Sequence, residues 1–277
     1  MSVPLAALRE HLPDVAGDHV VTIAEGWDSD VFVVDGTWVV RIPRRPEVAA
    51  RLAGEAVLLP ALGPELPVPI PRVEAVAPDG AAWVVYRWID GSPLGPNASA
   101  RDVAAFLSAL HRFPVGRAVG LGVQQEDWEA MVRGELAVFE ERVTPLLAAG
   151  EAALARARFD AFLGDARSFA FRPALIHADL GPEHLLCASD GRLVGVIDWT
   201  DVTIGDPALD FAWLLNGVGE RFAAELLEAY GGVDDDLARR AAFFHLLGPW
   251  HEVTYGLDRG LPAYVESGLA GVRDRLS

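Results

Sequence analysis

The chain has 277 residues, of which 51% are hydrophobic and 23% charged, a composition typical of a globular protein and not of a disordered one. Its 40 acidic and 23 basic residues give a formal net charge of −17, and so acidic a surface repels phosphate backbones, which argues against a nucleic-acid partner. No apolar run reaches the ~18 residues of a membrane span, and residues 1–20 lack the apolar segment of a secretory signal. The single Cys187 suits a reducing compartment. We therefore expect a cytoplasmic protein with no membrane partner.

The first ninety residues are predicted to form mostly strands and turns. Asp35-Gly36 is typical of a tight hairpin turn, and Pro43 and Pro46 should end the strand before a helix at residues 47–62. A stiff proline-rich connector follows that helix. β-Branched and aromatic runs predict strands at Val20–Ala24, Val31–Val34, Trp38–Ile42 and Ala82–Tyr86.

Helical patterns dominate the remainder, apart from one predicted hairpin of Leu185–Cys187 with Leu193–Ile197 around Asp190-Gly191. We therefore expect an α+β protein with a small antiparallel-sheet lobe at 1–88 and a larger, mainly helical lobe at 89–277. The predicted helices are 99–112, 126–149, 151–163, 207–216, 219–230 and 234–247.

The strongest functional signal lies in residues 175–211. Folding of the predicted hairpin brings His184, at the start of one strand, beside Asp198, at the end of the other, and Asp179 lies on the loop just before. A carboxylate base, together with a second carboxylate and a ligand-capable side chain, is the equipment of phosphoryl transfer.

These motifs, HADLGPEH, the hairpin, IDW and DPALDF, resemble the catalytic region of the aminoglycoside and macrolide phosphotransferases, which are antibiotic kinases with a two-lobed, protein-kinase-like fold. The resemblance extends over nearly the whole chain and is closest in detail to the macrolide 2'-phosphotransferases. It implies Asp179 as the catalytic base, His184 and Asp198 as ligands of Mg²⁺, and GTP or ATP as the phosphoryl donor. It makes 1–88 the nucleotide-binding lobe and 89–277 the catalytic and acceptor-binding lobe. The nucleotide-binding residues that it implies are Ser29, Arg41, Glu55, Tyr86, Trp88 and Ile89, with the backbone of 86–89 contacting the base.

Arg41 stands where the wider kinase pattern has lysine, and its guanidinium can grip phosphate oxygens. Glu55 falls on the apolar face of the helix at 47–62, where an inward carboxylate needs a partner, and Arg41 is the natural one. The alternative is an exposed i,i+4 pair of Glu55 with Arg51.

Three further residues are predicted to be structural: His177 packs the catalytic loop from within, and Asp206 and Asp210 brace that loop from the start of a helix. A helical stripe runs through Trp128, Val132, Leu136, Phe139 and Val143. The stripe is most simply core, and the alternative is an apolar wall of an acceptor pocket.

We expect a cationic small-molecule acceptor, because residues after Trp88 carry 28 acidic and 16 basic side chains, against 12 and 7 before that point. An amino-sugar antibiotic fits this charge, with a macrolide as first choice and an aminoglycoside of the 2''-type as second. Candidate acceptor-binding residues are Asp201, Trp250, Glu252, Tyr255 and Asp258.

Three alternatives stay open: a metabolic small-molecule kinase of the same fold, a catalytically silent binding protein, and a metal-dependent phosphohydrolase. The last needs clustered histidines, and those outside His177 and His184 are scattered along the chain. We expect the protein to be a monomer.

Overall fold

The structure is a computed structural model that describes residues 3–25, 28–78, 83–231 and 233–277. The chain divides into two compact units. The first unit comprises Met1–Gln124 and Ala174–Ile204, and the second comprises Gln125–Pro173 and Gly205–Ser277. The division into functional lobes at residue 88 stays a prediction. In the described ranges no helix combines the length and apolar character needed to cross a membrane.

The first unit is built on a five-stranded antiparallel sheet with the strand order β1-β2-β3-β5-β4. All four predicted strands are present, and the sheet contains one further strand, β4, that the sequence did not predict. Ala82, Gly26 and Trp27 lie outside the described residues. The bounds are β1 (Val20–Glu25), β2 (Ser29–Val34), β3 (Trp38–Pro43), β4 (Val73–Val76) and β5 (Val84–Arg87).

The register of the sheet sets the position of the Arg41 side chain. Arg41 of β3 lies opposite Val31 of β2 on one side and Val84 of β5 on the other. Asp35 takes a left-handed conformation in the predicted β2–β3 turn, where its carboxylate accepts hydrogen bonds from the backbone N–H groups of residues 17–19. Because β3 is central, its inward side chains have neighbours on both flanks, and Arg41 is 9% exposed.

Helices complete the first unit, and their caps follow from the sequence. The helix predicted at 47–62 starts one residue earlier because Pro46 suits the first helical position. Ser99 caps the helix predicted at 99–112 by accepting from the Asp102 N–H. The helices are α1 (Leu5–His11), α2 (Pro46–Leu62), α3 (Ala100–Arg112) and α4 (Val115–Gly120).

The remaining strands of the first unit hold its candidate chemistry. β8 (Leu185–Cys187) and β9 (Leu193–Val196) form the predicted hairpin, with Leu185 opposite Val196. The short strand β6 (Ser92–Pro93) adds to β8, while β7 (Ala174–Ile176) pairs separately with β10 (Thr203–Gly205). β6 and β10 had no sequence signal, because strands of two or three residues are too short to show a period.

The second unit is helical, and two of its predicted bounds are wrong. The helix predicted at 126–149 stops at Arg142, and a 3-10 turn at Thr144–Leu146 follows because Pro145 has no N–H to donate. The helix predicted to end at residue 247 continues through Pro249 to Arg259. The helices are α5 (Trp128–Arg142), α6 (Ala149–Gly164), α7 (Ala208–Asn216), α8 (Glu220–Tyr230), α9 (Asp235–Arg259) and α10 (Pro262–Leu276).

Close packing of α9 on α10 explains why the helix survives Pro249. A Cβ atom added at Gly268 would lie 2.8 Å from the backbone nitrogen of Val253, and one at Gly271 would lie 3.0 Å from Pro249. The two helices approach this closely only because α10 carries glycine at these positions. The Arg275 guanidinium of α10 also donates to the His245 carbonyl, which lacks its usual helical donor because Pro249 has no N–H, and this bond compensates for the missing one.

The aromatic stripe of α5 belongs to the core of the second unit. Each stripe residue is buried, and the Trp128 indole packs against Gly205, where a Cβ atom would lie 1.9 Å from its ring. The core interpretation of the stripe is confirmed. The apolar-wall alternative is wrong, because these side chains have no exposed surface to offer.

Candidate functional site

The loop after β7 presents Asp179 to solvent and keeps His177 inside. His177 is fully buried, its Nδ1 accepts from the Asp179 N–H at 3.3 Å, and its Nε2 donates to the Ile197 carbonyl at 3.0 Å. Ala178 takes a left-handed conformation with φ of 69°, which is strained for a residue with a side chain. This kink directs the two neighbouring side chains to opposite sides of the loop, as expected of a structural His177.

The hairpin brings His184 and Asp198 together. The Ile197 N–H donates to the His184 carbonyl at 2.9 Å, which extends the β8–β9 ladder by one step. His184 Nε2 lies 3.8 Å from Asp198 Oδ2, and its Nδ1 donates to the Asp179 carbonyl at 2.6 Å. Asp198 itself is left-handed, with φ of 61°. Backbone strain of this kind concentrates at functional sites, and here it occurs at Ala178 and Asp198, which flank the same pocket of polar groups.

Arg41 links Asp198 to Glu55. Its Nη1 lies 3.0 Å from Asp198 Oδ1 and 3.6 Å from Glu55 Oε2, and the Thr200 hydroxyl lies within 3.4 Å of both carboxylates. Glu55 is 2% exposed on the inner face of α2. The predicted Arg41–Glu55 pair is present, and the alternative pair of Glu55 with Arg51 is absent because the Arg51 guanidinium pairs with Asp28 and Asp201 instead.

Burial sets the charge state of this group. Desolvation raises the pKa of Glu55 to about 7, and the attraction of Arg41 does not offset it, because Arg41 lies closer to Asp198. The pKa of Asp198 is lowered instead: its burial is outweighed by Arg41 and His184. Asp198 is therefore ionised at neutral pH, whereas Glu55 is divided between its two protonation states.

Desolvation also raises the pKa of Asp179, to about 6. The neighbouring His184 opposes the rise, and the carboxylates of Asp201 and Asp198 add to it. The Asp179 side chain is 54% exposed, so water screens these interactions and the direction of the shift matters more than its size. A carboxylate with a raised pKa is a better proton acceptor near neutral pH.

The buried Glu55 predicts a pH-dependent stability. Its folded pKa of about 7 lies above the ordinary 4.5, so the folded state binds the proton more tightly. The free energy of unfolding should therefore fall as pH rises from about 4.5 to 7, by on the order of 3 kcal/mol at 1.36 kcal/mol per pKa unit. Urea unfolding at pH 5 and pH 8 should show Glu55→Gln gaining stability relative to wild type at the higher pH. A difference between the two proteins that does not change with pH would contradict this.

Tyr86 faces this buried group, and Ser29 is buried as well. The Tyr86 side chain is 3% exposed, and its hydroxyl interacts with Glu55 and Arg41. Ser29, at the start of β2, is equally buried, and its hydroxyl has no hydrogen-bond partner among the described residues. The position of Tyr86 beside the Arg41–Glu55 pair was not expected, because the sequence suggested only a role near the base.

Two backbone N–H groups of the predicted hinge already donate hydrogen bonds to neighbouring strands and turns. The Trp88 N–H donates to the Thr37 carbonyl at 2.8 Å, and the Arg87 N–H donates to Arg72. A base contact from Trp88 would therefore use its carbonyl group. Ile89 packs against Gly195 of β9, where a Cβ atom would come within 2.6 Å of its side chain, and this contact fixes the hinge against the hairpin.

Asp201 does not point freely towards an acceptor. Its carboxylate accepts a hydrogen bond from Arg51, whose second terminal nitrogen donates to Asp28 at 2.6 Å. The sequence gave no signal for this bridge, because Arg51 and Asp201 are 150 residues apart in the chain. An acceptor contact by Asp201 stays a prediction and would have to compete with Arg51.

The candidate residues of the second unit are mostly engaged. Asp206 is fully buried, pairs with Arg240 at 2.6 Å and caps the Ala208 N–H at 3.0 Å, while Asp210 is fully buried in the first turn of α7. Both positions are structural. Whether they brace the catalytic loop stays a prediction.

The late segment, predicted to bind the acceptor, becomes part of α9. Trp250 is fully buried against Phe139 and Phe159, which is the packing of a core residue, and an acceptor contact by Trp250 stays a prediction. Asp258 pairs with Arg142 at 2.6 Å. Tyr255 packs edge-on against Tyr264, and both it and Glu252 are partly exposed.

The polar groups around Asp198 suit a magnesium ion. The Asp198 carboxylate is ionised and 39% exposed, and a hard cation prefers such an oxygen. With Nδ1 of His184 donating to a carbonyl, its Nε2 presents a lone pair towards Asp198 Oδ2. Across the described ranges no group of three or more His, Cys, Asp or Glu side chains could hold a metal ion, and the assignment of Asp198 and His184 as ligands stays a prediction.

Comparison with known proteins agrees with this geometry. Residues 19–243 match the family described as the phosphotransferase enzyme family, APH. The structure resembles a GDP and kanamycin complex of APH(2")-IIia, with a TM-score of 0.88, 28% identity, and coverage of 98% of this chain and 97% of that one. It also resembles the apoenzyme of macrolide 2'-phosphotransferase MphH from Brachybacterium faecium, with a TM-score of 0.78, 29% identity, and coverage of 97% of each chain.

A curated relative, viomycin phosphotransferase of Streptomyces vinaceus, is 28% identical over 248 residues, which cover 84% of this chain and 82% of that protein. The predicted fold class is confirmed, because the kinase-like fold of these proteins has the small antiparallel sheet and the helical remainder found here. The predicted enzyme class, a phosphotransferase with an alcohol group as acceptor, is confirmed as well. The chain belongs to the phosphotransferase enzyme family, APH.

Proposed function

We propose that this enzyme transfers the γ-phosphoryl group of GTP or ATP to a hydroxyl group of a cationic amino-sugar antibiotic. The observation that carries the proposal is the convergence of Asp179, His184, Asp198 and Arg41 within hydrogen-bonding and ion-pairing distances of one another. A base, an ionised carboxylate and a fixed guanidinium are what in-line phosphoryl transfer requires of a protein.

Each of these residues has a chemical task in the proposed reaction. Asp179 accepts the hydrogen bond of the acceptor hydroxyl and orients its oxygen towards the γ-phosphorus, and it takes up the proton as the new O–P bond forms. Arg41 holds phosphate oxygens, while Glu55 and Asp198 fix the direction of its guanidinium. His184, tied to the Asp179 carbonyl, keeps the loop in place against the hairpin.

Asp198 and His184 would hold Mg²⁺, and when bound this ion neutralises negative charge on the transferring phosphates. Either nucleotide suits the phosphate-binding groups. The solved relative APH(2")-IIia is a GDP complex, which favours testing GTP alongside ATP.

We infer an aminoglycoside as the acceptor in preference to a macrolide. The macrolide preference depended on an apolar wall made by the Trp128 stripe and Trp250, and these side chains are core. A polycationic acceptor instead needs carboxylates. Glu135 of α5 is partly buried, has no hydrogen bond or ion pair among the described residues, and has its pKa raised to about 7 by desolvation alone. An ammonium group would relieve this uncompensated burial.

The test is turnover of kanamycin-like, erythromycin-like and viomycin-like acceptors with GTP and ATP in parallel, measured by the formation of GDP or ADP and by the mass of the product. We expect an aminoglycoside to gain one phosphoryl group. Neutral alcohols and choline-like amino alcohols serve as comparison acceptors. Turnover of these alone would identify a metabolic kinase, and nucleotide binding without any turnover would favour the silent binding protein.

Magnesium dependence separates the roles of Asp198 and His184. Asp198→Asn should raise the magnesium concentration needed for half-maximal activity by about 10- to 100-fold, and more than His184→Ala does, because a hard cation favours the carboxylate. Titration of magnesium at saturating nucleotide measures both. A larger shift for His184→Ala would reverse the assignment.

A further inference from the structure

Arg51 joins two segments of the first unit that are far apart in the sequence. From α2, one terminal nitrogen donates to Asp28 Oδ2 at 2.6 Å and the other donates to Asp201 Oδ1. Asp28 immediately precedes Ser29 at the start of β2, and Asp201 follows Asp198 by three residues. A single guanidinium therefore spans both segments.

The segment at the start of β2 is held by arginines throughout. Arg45 donates to the second oxygen of Asp28 at 2.5 Å, and the Arg44 Nε donates to Asp30 at 2.8 Å. Ser29 is buried between the two anchored carboxylates.

The other end of the bridge lies beside the candidate catalytic groups. Asp201 is close enough to Asp179 and Asp198 for their charges to interact. Without Arg51, Asp201 would keep only the more distant attraction of Arg41, and its charge would repel both neighbours and an incoming triphosphate.

We propose that Arg51 is a positioning residue for the nucleotide: it clamps the Asp28–Ser29 segment to the segment after Asp198 and so sets the shape and charge of the phosphate site without contacting the nucleotide. This inference rests on the proposed use of a nucleotide by the same site. No contact of Arg51 with the acceptor is involved, so its effect falls on nucleotide parameters.

The test compares Arg51→Gln with Arg117→Gln. Arg117 is a matched control, because it also bridges two elements of the first unit through an exposed ion pair, to Glu65 at 2.7 Å, away from the candidate site. Arg51→Gln should raise the KM for GTP or ATP, and the Kd for GDP or ADP with magnesium measured by calorimetry, by about three- to tenfold. The KM of the acceptor should not rise by more than about twofold, since loss of Arg51 frees Asp201 and removes no acceptor contact, and Arg117→Gln should leave all these values unchanged.

Asp28→Asn completes a double-mutant cycle. If Arg51 acts through Asp28, Asp28→Asn weakens nucleotide binding by itself but adds little in the Arg51→Gln background. Additive effects of the two changes, equal losses for acceptor and nucleotide, or a matching loss in Arg117→Gln would overturn the inference. If the wild-type protein binds GDP or ADP but turns over no acceptor, only the proposed function is contradicted, because the Kd comparison still tests Arg51. If the wild-type protein binds neither nucleotide, the proposed function and the role of Arg51 are both overturned.

Discussion

Asp179→Ala should lower kcat by about 10²- to 10⁴-fold, because a positioned proton acceptor contributes roughly that factor. The Kd of GDP or ADP should change little, since Asp179 is placed to orient the acceptor hydroxyl and not the nucleotide. The fold should also persist, because more than half of the side chain is exposed and His177, not Asp179, packs the loop. Steady-state kinetics with the best acceptor, together with nucleotide calorimetry, measure both effects.

Asp14→Ala is the matched control for this substitution. Asp14 is an exposed aspartate in the turn after α1 of the first unit and has no hydrogen bond or ion pair among the described residues, so its loss should leave kcat near that of wild type. In wild type, kcat/KM should also fall as pH drops through about 6, since the raised pKa of Asp179 protonates the base there. If Asp179→Ala keeps most of the activity, Asp179 is not the proton acceptor of the reaction.

Asp206→Ala should lower the free energy of unfolding by about 3–5 kcal/mol, because it leaves the guanidinium of Arg240 buried without its partner. Arg240 is 4% exposed, and both of its hydrogen bonds to Asp206 are lost together with the cap on the Ala208 N–H. Urea unfolding monitored by the fluorescence of the eight tryptophans measures the loss.

Two comparisons make this prediction specific. Glu129→Ala removes an exposed i,i+4 pair with Arg133 and should cost only about 0.3–0.5 kcal/mol. Asp206→Ala combined with Arg240→Met should recover much of the lost stability, since no buried charge then remains uncompensated. A loss below about 1 kcal/mol in Asp206→Ala would mean that water reaches Arg240 after the substitution.

The part of the candidate site that could be predicted from the sequence is local. Asp190-Gly191 fixes the hairpin turn, the turn fixes the register, and the register places His184 beside Asp198. In the same way the period of α2 turns Glu55 inward, where a cation must meet it. Interactions within one hairpin or one helix follow from spacing alone, because the backbone geometry between the residues is known in advance.

Contacts between distant segments could not be predicted in this way. The Arg51–Asp201 bridge and the place of Tyr86 beside Glu55 depend on how β3, β5 and α2 pack against the loop after β9. The continuation of α9 through Pro249 likewise depends on α10, whose glycines allow close approach and whose Arg275 donates to the His245 carbonyl.

The sequence by itself determined the fold class, the hairpin that brings His184 beside Asp198, and the Arg41–Glu55 pair, because each has a local pattern with one favourable folded outcome. Only the tertiary structure decided that Trp250 and the Trp128 stripe are core and that Arg51 holds Asp201. An aromatic face at helical spacing can cover a core or line a pocket with the same periodicity. What distinguishes the two is the surface packed against that face, and this is supplied by other parts of the chain.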